Sequence, residues 1–202
     1  DVYKRQQFAL VWPDEDVVVV ATAEIADMQA ELTLLVDHLL PAMSGPPSPE
    51  VEDELAQRLS QLALRLPDDD GGIVEGEFEL APVEQPAVPG LSSVRLAAMG
   101  ADGWIVTFVR EQDEVSLPIG RGTWAAGDWP TALTDHDAVP FVSTGGVDAA
   151  GGFLAELRMI QTPHTLLLRI DPAGVATVDW RLWPLRADGP DGHALPSRFA
   201  VY

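Results

Sequence analysis

Residues 74–80, Val-Glu-Gly-Glu-Phe-Glu-Leu, mark the point where the chain changes from helical to strand-like patterning. Val74, Phe78 and Leu80 share one face of an extended chain and three glutamates share the other, because successive side chains of a strand point to opposite sides. One apolar and one charged face are typical of an antiparallel sheet with a solvated side. The stretch therefore predicts the start of a β domain.

Further strand-like segments follow this one, separated by turn residues. The candidate strands are 93–98, 103–110, 114–118, 123–126, 139–143, 153–161, 165–170 and 175–182. We interpret Gly145-Gly146 and Gly151-Gly152 as turn glycines, since neither pair lies between a strand and a helix as a phosphate-binding loop would. No helical crossover fits between the strands, so we predict an antiparallel barrel or strongly curved sheet of about eight strands over residues 70–186, followed by a tail at 187–202.

Upstream, residues 8–22 read Phe-Ala-Leu-Val-Trp-Pro-Asp-Glu-Asp-Val-Val-Val-Val-Ala-Thr, two apolar runs around a turn, which predicts a β-hairpin. The uninterrupted valines 17–20 are typical of a strand that is buried on both faces. Asp27 is expected to cap a helix that runs to about Leu40 with apolar residues at helical spacing. Pro41 and the cluster Ser44-Gly45-Pro46-Pro47 are expected to stop it. One hairpin and one helix cannot enclose a core. We therefore expect residues 7–43 to be the end of a larger domain, with exposed apolar surface on both elements.

A second helix is predicted from Ser48-Pro49-Glu50, which supplies an N-cap, a proline at the first position and an acid near the helix dipole. Its apolar stripe runs from Val51 to Leu66, and Pro67 ends it. The acidic run Asp68-Asp69-Asp70 lacks EF-hand spacing and reads as a linker. Residues 44–69 are therefore predicted to be a linker with a bridging helix, and the fold class is α+β.

The first six residues, Asp-Val-Tyr-Lys-Arg-Gln, differ from the rest of the chain. Lys4 is the only lysine, against eleven arginines. The hexapeptide matches the in-frame translation of the mosaic end that transposase-based sequencing libraries insert into DNA. We interpret residues 1–6 as an adapter artefact and exclude them from fold reasoning. The alternative is a genuine N-terminus that lacks its methionine.

The composition excludes several classes of partner. Thirty-two acids against twelve bases give a net charge of −20, whereas nucleic acids and anionic membranes require a basic surface. No apolar run is long enough to span a bilayer. The chain has no cysteine, which excludes disulfides and thiolate metal sites and leaves the compartment undetermined.

The four histidines do not form a metal site by spacing, and no cofactor is expected. Asp135-His136-Asp137 is the strongest candidate, but neighbouring side chains of a strand diverge, so we favour a solvated loop. His38, His164 and His193 have no partner at ligand spacing.

Three of the six tryptophans, Trp104, Trp124 and Trp180, are candidates for lining a ligand cavity inside the barrel. The alternative is that they fill the core, as aromatic residues on strands commonly do. A filled interior would weaken the cavity hypothesis.

Residues 7–43 resemble the closing segment of the serine beta-lactamase-related hydrolases, the class C and penicillin-binding-protein-like superfamily. The family hairpin reads Phe-x-x-x-x-Pro-x-x-Asp-x-Val-x-Val, and the matching residues are Phe8, Pro13, Asp16, Val18 and Val20. The helix that follows, 27–43, is similar to that of a subgroup described simply as serine hydrolases. The β domain looks like the poorly described C-terminal extension of that subgroup.

The resemblance implies that the parent protein hydrolyses an ester, amide or lactam through an acyl-serine intermediate. The family uses a Ser-x-x-Lys pair, a Tyr-x-Asn pair and a third motif just before the hairpin. None is present, because Lys4 is the only lysine and the chain has no asparagine. The resemblance therefore implies a catalytic domain preceding residue 7 in the same chain, which would bind the small-molecule substrate. It also implies an inactive fragment, in which only the backbone N–H of Gln7 is a candidate oxyanion donor.

Two alternatives belong to other functional classes. In the first, the β domain is a lipocalin-like module that binds a ligand or a protein without catalysis. In the second, it is a structural extension that shields or dimerises the hydrolase.

Overall fold

The computed structural model describes residues 7–22, 27–43, 48–84, 86–88, 90–111, 113–129, 139–162 and 164–181, except the side chains of residues 7, 8 and 22. The chain forms two compact units, Asp1–Arg65 and Leu66–Tyr202. The mixed α+β character predicted from the sequence is confirmed.

The first unit begins with the predicted hairpin. Strands β1 (Gln7–Trp12) and β2 (Val17–Thr22) pair in antiparallel register, with Trp12 opposite Val17. Asp16 closes the turn in the left-handed region, at a φ of 54°, and its N–H donates to the carbonyl of Pro13 at 3.3 Å. Aspartate is one of the few residues that tolerate this backbone conformation.

Helix α1 consists of Met28–Leu34 and Leu40–Ala42 in α form, with Leu35–Leu39 between them in π form. The Asp27 cap is confirmed, because its Oδ1 accepts a hydrogen bond from the N–H of Ala30 at 3.0 Å. The helix ends at Ala42, close to the predicted end at about Leu40, but Pro41 lies inside its last turn. The wider π turn, in which the N–H of Leu40 donates to the carbonyl of Leu35, relieves the clash that a proline ring normally makes with the preceding turn.

Helix α2 spans Pro49–Ser60 and ends earlier than the sequence predicted. The hydroxyl of Ser60 donates to the carbonyl of Gln57 at 2.7 Å, and the N–H of Gln61 turns to Arg58, three residues back. A side chain that competes for a helix carbonyl favours the helix end. Leu62 and Leu66 therefore lie outside the helix.

The second unit is a closed barrel of eight strands with a ninth strand outside the ring. Its strands are β3 (Gly76–Leu80), β4 (Leu91–Ala98), β5 (Gly103–Arg110), β6 (Glu114–Arg121), β7 (Ala125–Trp129), β8 (Val139–Val147), β9 (Phe153–Met159), β10 (Thr165–Ile170) and β11 (Val175–Trp180). Two antiparallel meanders, β3–β6 and β8–β11, form the wall, and the pairing of β6 with β8 closes it.

The prediction of a wholly antiparallel barrel is wrong at the two seams between the meanders. Strands β3 and β11 are parallel, and so are β6 and β8. Strand β7 explains the second seam, because it pairs antiparallel with the first half of β8 and carries the chain back along the barrel. As a result β8 runs in the same direction as β6. The segment at 123–126, predicted as an ordinary strand, is this return strand.

The core fills the inside of the barrel, where inward residues alternate with outward ones. On β5 the inward side chains Trp104, Val106 and Phe108 are at most 1 % exposed. The largest fully buried side chains are Trp104, Trp129, Phe108, Phe141, Ile119, Leu157, Leu166 and Leu168. The alternation predicted from the sequence therefore positions a continuous apolar core.

Gly145 and Gly146 belong to β8, so their assignment to a turn is wrong. A Cβ on Gly145 would lie 2.8 Å from the Cγ2 of Ile119, and this close approach across the β6–β8 seam requires glycine. Gly151 does occupy a turn, at a φ of +84°.

Candidate functional site

The hairpin is apolar on both faces. Ala9, Val11, Val18 and Val20 share one face, and Val11, Val18 and Val20 are 62 %, 63 % and 67 % exposed. The opposite face carries Leu10, Trp12, Val17, Val19 and Ala21. The exposed apolar surface expected for this hairpin is therefore present, and helix α1 also exposes apolar side chains at Leu34, Val36 and Leu39.

Gln7, the candidate oxyanion donor, is the first residue of β1 and lies opposite Thr22. The role of its backbone N–H stays a prediction, because the chain contains no Ser-x-x-Lys pair and no asparagine beside which it could act.

The acidic run at 68–70 is not a simple linker, contrary to the sequence interpretation. Asp69 forms a bidentate ion pair with Arg121, in which Nε and Nη2 approach its two carboxylate oxygens at 2.7 and 2.9 Å. The N–H of Val147 donates to Asp69 Oδ1 at 3.2 Å, and the N–H of Asp70 donates to the carbonyl of Val147 at 2.8 Å. We call Asp69, Asp70, Arg121 and Val147 the clamp. It fastens the segment before β3 to the barrel.

The electrostatics of the clamp favour the charged pair. The hydrogen bond from Arg121 holds the pKa of Asp69 below its usual value, against the opposing effect of burial. The same bond raises the pKa of Arg121. Arg121 also donates to the carbonyl of Gly72 at 2.9 Å, and its guanidinium carbon lies 5.1 Å from the centre of the Trp104 ring.

Gly146 makes the clamp possible. A Cβ at this position would lie 2.4 Å from the backbone oxygen of Asp68 and 2.9 Å from the Cβ of Asp69. The segment therefore crosses β8 at a point where only glycine fits. The glycine pair Gly145-Gly146 is visible in the sequence, but its close approach to Asp68 and Asp69 could not be predicted from the sequence.

The three candidate tryptophans do not come together. Trp104 is 1 % exposed and packs edge-on against Phe153 at 5.0 Å between ring centres. Trp180, 4 % exposed, lies opposite Leu166, whereas Phe153 lies opposite Ile170 at the other end of β10. Trp124 is partly exposed, with the guanidinium carbon of Arg158 at 5.5 Å from the centre of its ring.

The end of the barrel at Trp180 is filled by aromatic rings. Trp129 contacts Phe108, Phe141 and Trp180 with ring centres 6.1–6.5 Å apart. His164 packs edge-on against Trp180 at 6.1 Å, and burial lowers its pKa. The Nδ1 of His164 and the indole nitrogen of Trp129 are buried without a hydrogen-bond partner among the described residues.

A small cavity of about 280 Å³ lies at the wall of the barrel between β4 and β11. It is lined by Leu80, Ala81, Val83, Pro86, Ala87, Leu91, Ser92 and Val178. None of the three candidate tryptophans lines it. The hypothesis that they line an internal cavity stays a prediction.

No cluster of three metal-ligating side chains occurs among the described residues. His38 is exposed on α1. Asp135-His136-Asp137 and His193 lie outside the described residues. No helix within the described ranges is long and apolar enough to cross a membrane.

No family model, curated protein or solved structure matches this chain.

Proposed function

We propose that residues 7–43 complete the catalytic domain of a serine hydrolase related to the beta-lactamases, and that the barrel is its accessory domain. The parent protein would hydrolyse an ester, amide or lactam through an acyl-serine intermediate. The observation that carries this proposal is the hairpin, which is apolar on both faces.

An isolated two-stranded hairpin is marginal in water, and one with two apolar faces requires a layer on each side. Val18 and Val20 are more than 60 % exposed, and burying a valine is worth roughly 1.5–3 kcal/mol. A larger sheet covered by helices on both faces supplies that burial. The resemblance to the hydrolase family implies this environment, because the corresponding hairpin of that family belongs to such a sheet.

The chemistry of acyl transfer requires a hydroxyl beside a base that accepts its proton. This chain has no Ser-x-x-Lys pair and no asparagine. The proposal therefore assigns residues 7–43 a structural part in the catalytic domain and expects no turnover from this chain alone.

The first test is an assay of the purified chain with nitrocefin and with p-nitrophenyl butyrate. We expect hydrolysis at the rate of buffer alone. Turnover above buffer that survives further purification would overturn the proposal.

The second test extends the chain upstream in its source DNA. We expect the extended protein to contain a Ser-x-x-Lys pair and to gain a covalent acyl adduct on that serine. An extension of domain length without this pair would contradict the proposal.

In the extended protein, Val18→Lys should abolish the adduct because it puts a charge into the buried sheet. Ile160→Lys is the matched control, since Ile160 is 61 % exposed and directly follows β9 of the barrel. The control should leave the adduct unchanged.

The lipocalin-like alternative receives less support, because the described interior of the barrel is occupied by its own side chains. Trp104, Trp129, Phe108 and Phe141 are each at most 1 % exposed. A lipocalin-type ligand requires an internal space of its own.

A further inference from the structure

The barrel wall is incomplete between β4 and β11. Strand β3, which separates them, pairs with β11 only at Val175 and Ala176 and stops at Leu80. After Ala176, the edge of β11 that faces β3 has no strand partner in the described part of the chain. On the other side of the gap, the pairing of β4 with β3 begins at Ser93, so the first two residues of β4 are not paired with β3. We call this gap the side opening. Its two strand edges present backbone donors and acceptors outside the sheet ladder.

The connection between β3 and β4 covers the side opening only in part. Ala87 and Val88 are 4 % and 1 % exposed, and the carbonyl of Ala87 accepts a hydrogen bond from the indole of Trp180 at 3.2 Å. This hydrogen bond holds the connection between β3 and β4 against the barrel. The cavity of about 280 Å³ remains beside it, between Leu80, Leu91 and Val178.

The lining favours an uncharged ligand with an aliphatic part and a polar part, because backbone atoms contribute polar surface beside the apolar side chains. Seven of its eight residues are apolar. The eighth, Ser92, already donates its hydroxyl to the carbonyl of Val109 at 2.9 Å. Glu84 is exposed and follows the lining residue Val83 in the loop after β3, so a carboxylate or phosphate head would meet like charge.

The size of the cavity limits the ligand further. Its volume of about 280 Å³ is roughly twice that of the engineered cavity of about 150 Å³ that holds benzene. A short alkyl chain fits this space. A head group that both donates and accepts a hydrogen bond would suit the backbone groups of the strand edges that lie outside the sheet ladder.

We infer that the side opening is a binding site for a short aliphatic molecule with an uncharged hydroxyl or amide head. The site is independent of the proposed hydrolase chemistry, and it differs in place from an internal cavity lined by tryptophans. The alkyl chain lies among Leu80, Leu91 and Val178, and the head lies at the strand edges.

The test titrates the isotope-labelled chain with 1-butanol, 1-hexanol and 1-octanol and follows the methyl resonances by NMR. We expect saturable shifts at the methyl groups of Leu80, Leu91 and Val178. The dissociation constant should fall about fourfold for each added methylene until the cavity is full. Octanoate should bind at least about tenfold more weakly than 1-octanol.

Ala81→Leu should reduce the affinity for 1-octanol at least about tenfold, because the added carbons occupy the cavity. Ala150→Leu, in the exposed turn before β9, is the matched control and should bind as the unchanged chain does. If Ala81→Leu fails to fold, Ser92→Leu fills the same space from the exposed side of β4.

Three results would overturn the inference. The first is non-saturating shifts spread over the barrel. The second is equal shifts at the exposed hairpin valines Val11, Val18 and Val20, which would indicate general partitioning onto apolar surface. The third is unchanged affinity in a folded cavity-filling variant.

Discussion

The hairpin and the barrel are both rich in valine, yet they differ completely in burial. Val18 and Val20 of the hairpin are more than 60 % exposed, whereas Val94 and Val106 of the barrel are fully buried. The difference lies in closure, because the barrel surrounds its apolar face with strands, whereas the hairpin pairs with no third strand among the described residues. Apolar content alone does not make a core.

The two units also differ in how their ends are fastened. In the first unit, no helix residue is buried, and α2 is exposed along its whole length. In the second unit, even the charged segment before β3 is fixed to the barrel, through Asp69 and Arg121. Long-range contacts therefore hold the second unit together, including the segment before its first strand.

The largest expected effect compares the same substitution in the two units. Leu168→Ala removes a fully buried side chain and should lower the free energy of unfolding of the barrel by about 2–5 kcal/mol. Leu62→Ala removes a side chain that is 75 % exposed and should change it by no more than about 0.5 kcal/mol. Urea unfolding followed by tryptophan fluorescence measures both. Equal losses would mean that the first unit also contributes to the core.

The second-largest expected loss of stability comes from a substitution in the clamp. Asp69→Asn should cost about 1.5–3 kcal/mol, because it removes a charged acceptor and leaves Arg121 without its ion pair. Asp70→Asn is the matched control, since the bond from Asp70 to Val147 comes from its backbone. An Asp69 variant as stable as its control would show that the clamp does not stabilise the barrel.

The clamp also predicts a dependence on pH. The pKa of Asp69 is lowered in the folded state, so its contribution is complete above the ordinary value of 3.8 and is lost as the pH falls through the lowered value. The stability difference between the unchanged chain and Asp69→Asn should therefore shrink between about pH 6 and about pH 3. Urea midpoints at both pH values measure this, and a constant difference would contradict it.

His164 gives the smallest expected effect. Burial lowers its pKa in the folded state, so stability is complete above the ordinary value of 6.5 and declines as the pH falls from there toward the lowered value. His164→Phe should remove this decline, as measured by urea midpoints at about pH 7.5 and about pH 5.5. His38→Phe, on the exposed part of α1, should retain it. A decline that persists in His164→Phe would assign it to another group.

The sequence predicted the elements of the fold well because their signals are local. The alternation of Val74, Phe78 and Leu80 against glutamates is visible in a short window. The parallel seams were not predictable in this way, since they depend on β7 returning the chain outside the ring. The end of α2 was also missed, because the hydroxyl of Ser60 bonds back to a helix carbonyl there. The π turn that allows Pro41 inside α1 was not predictable from the sequence either.

The candidate sites were less predictable than the fold. Asp69 looked like one acid in a linker, and only its approach to Arg121, 52 residues away, gives it a role. The end of β3 at Leu80 agrees with the alternation over residues 74–80, but the side opening depends on the short pairing of β3 with β11 at Val175 and Ala176, which no local residue pattern predicts. Trp104 and Trp180 were identifiable as strand residues, but their positions at opposite ends of the barrel follow from strand register and from the contact of Trp104 with Phe153.

Hydrogen–deuterium exchange of the whole chain measures directly whether the barrel is stable by itself and the hairpin is not. The amides of β5, β9 and β10 should exchange at least about a thousandfold more slowly than intrinsic rates, as expected for several kcal/mol of stability. The amides of β1 and β2 should exchange close to their intrinsic rates. Equal protection of the hairpin and the barrel would show that the hairpin is as stable as the barrel and would contradict this assignment.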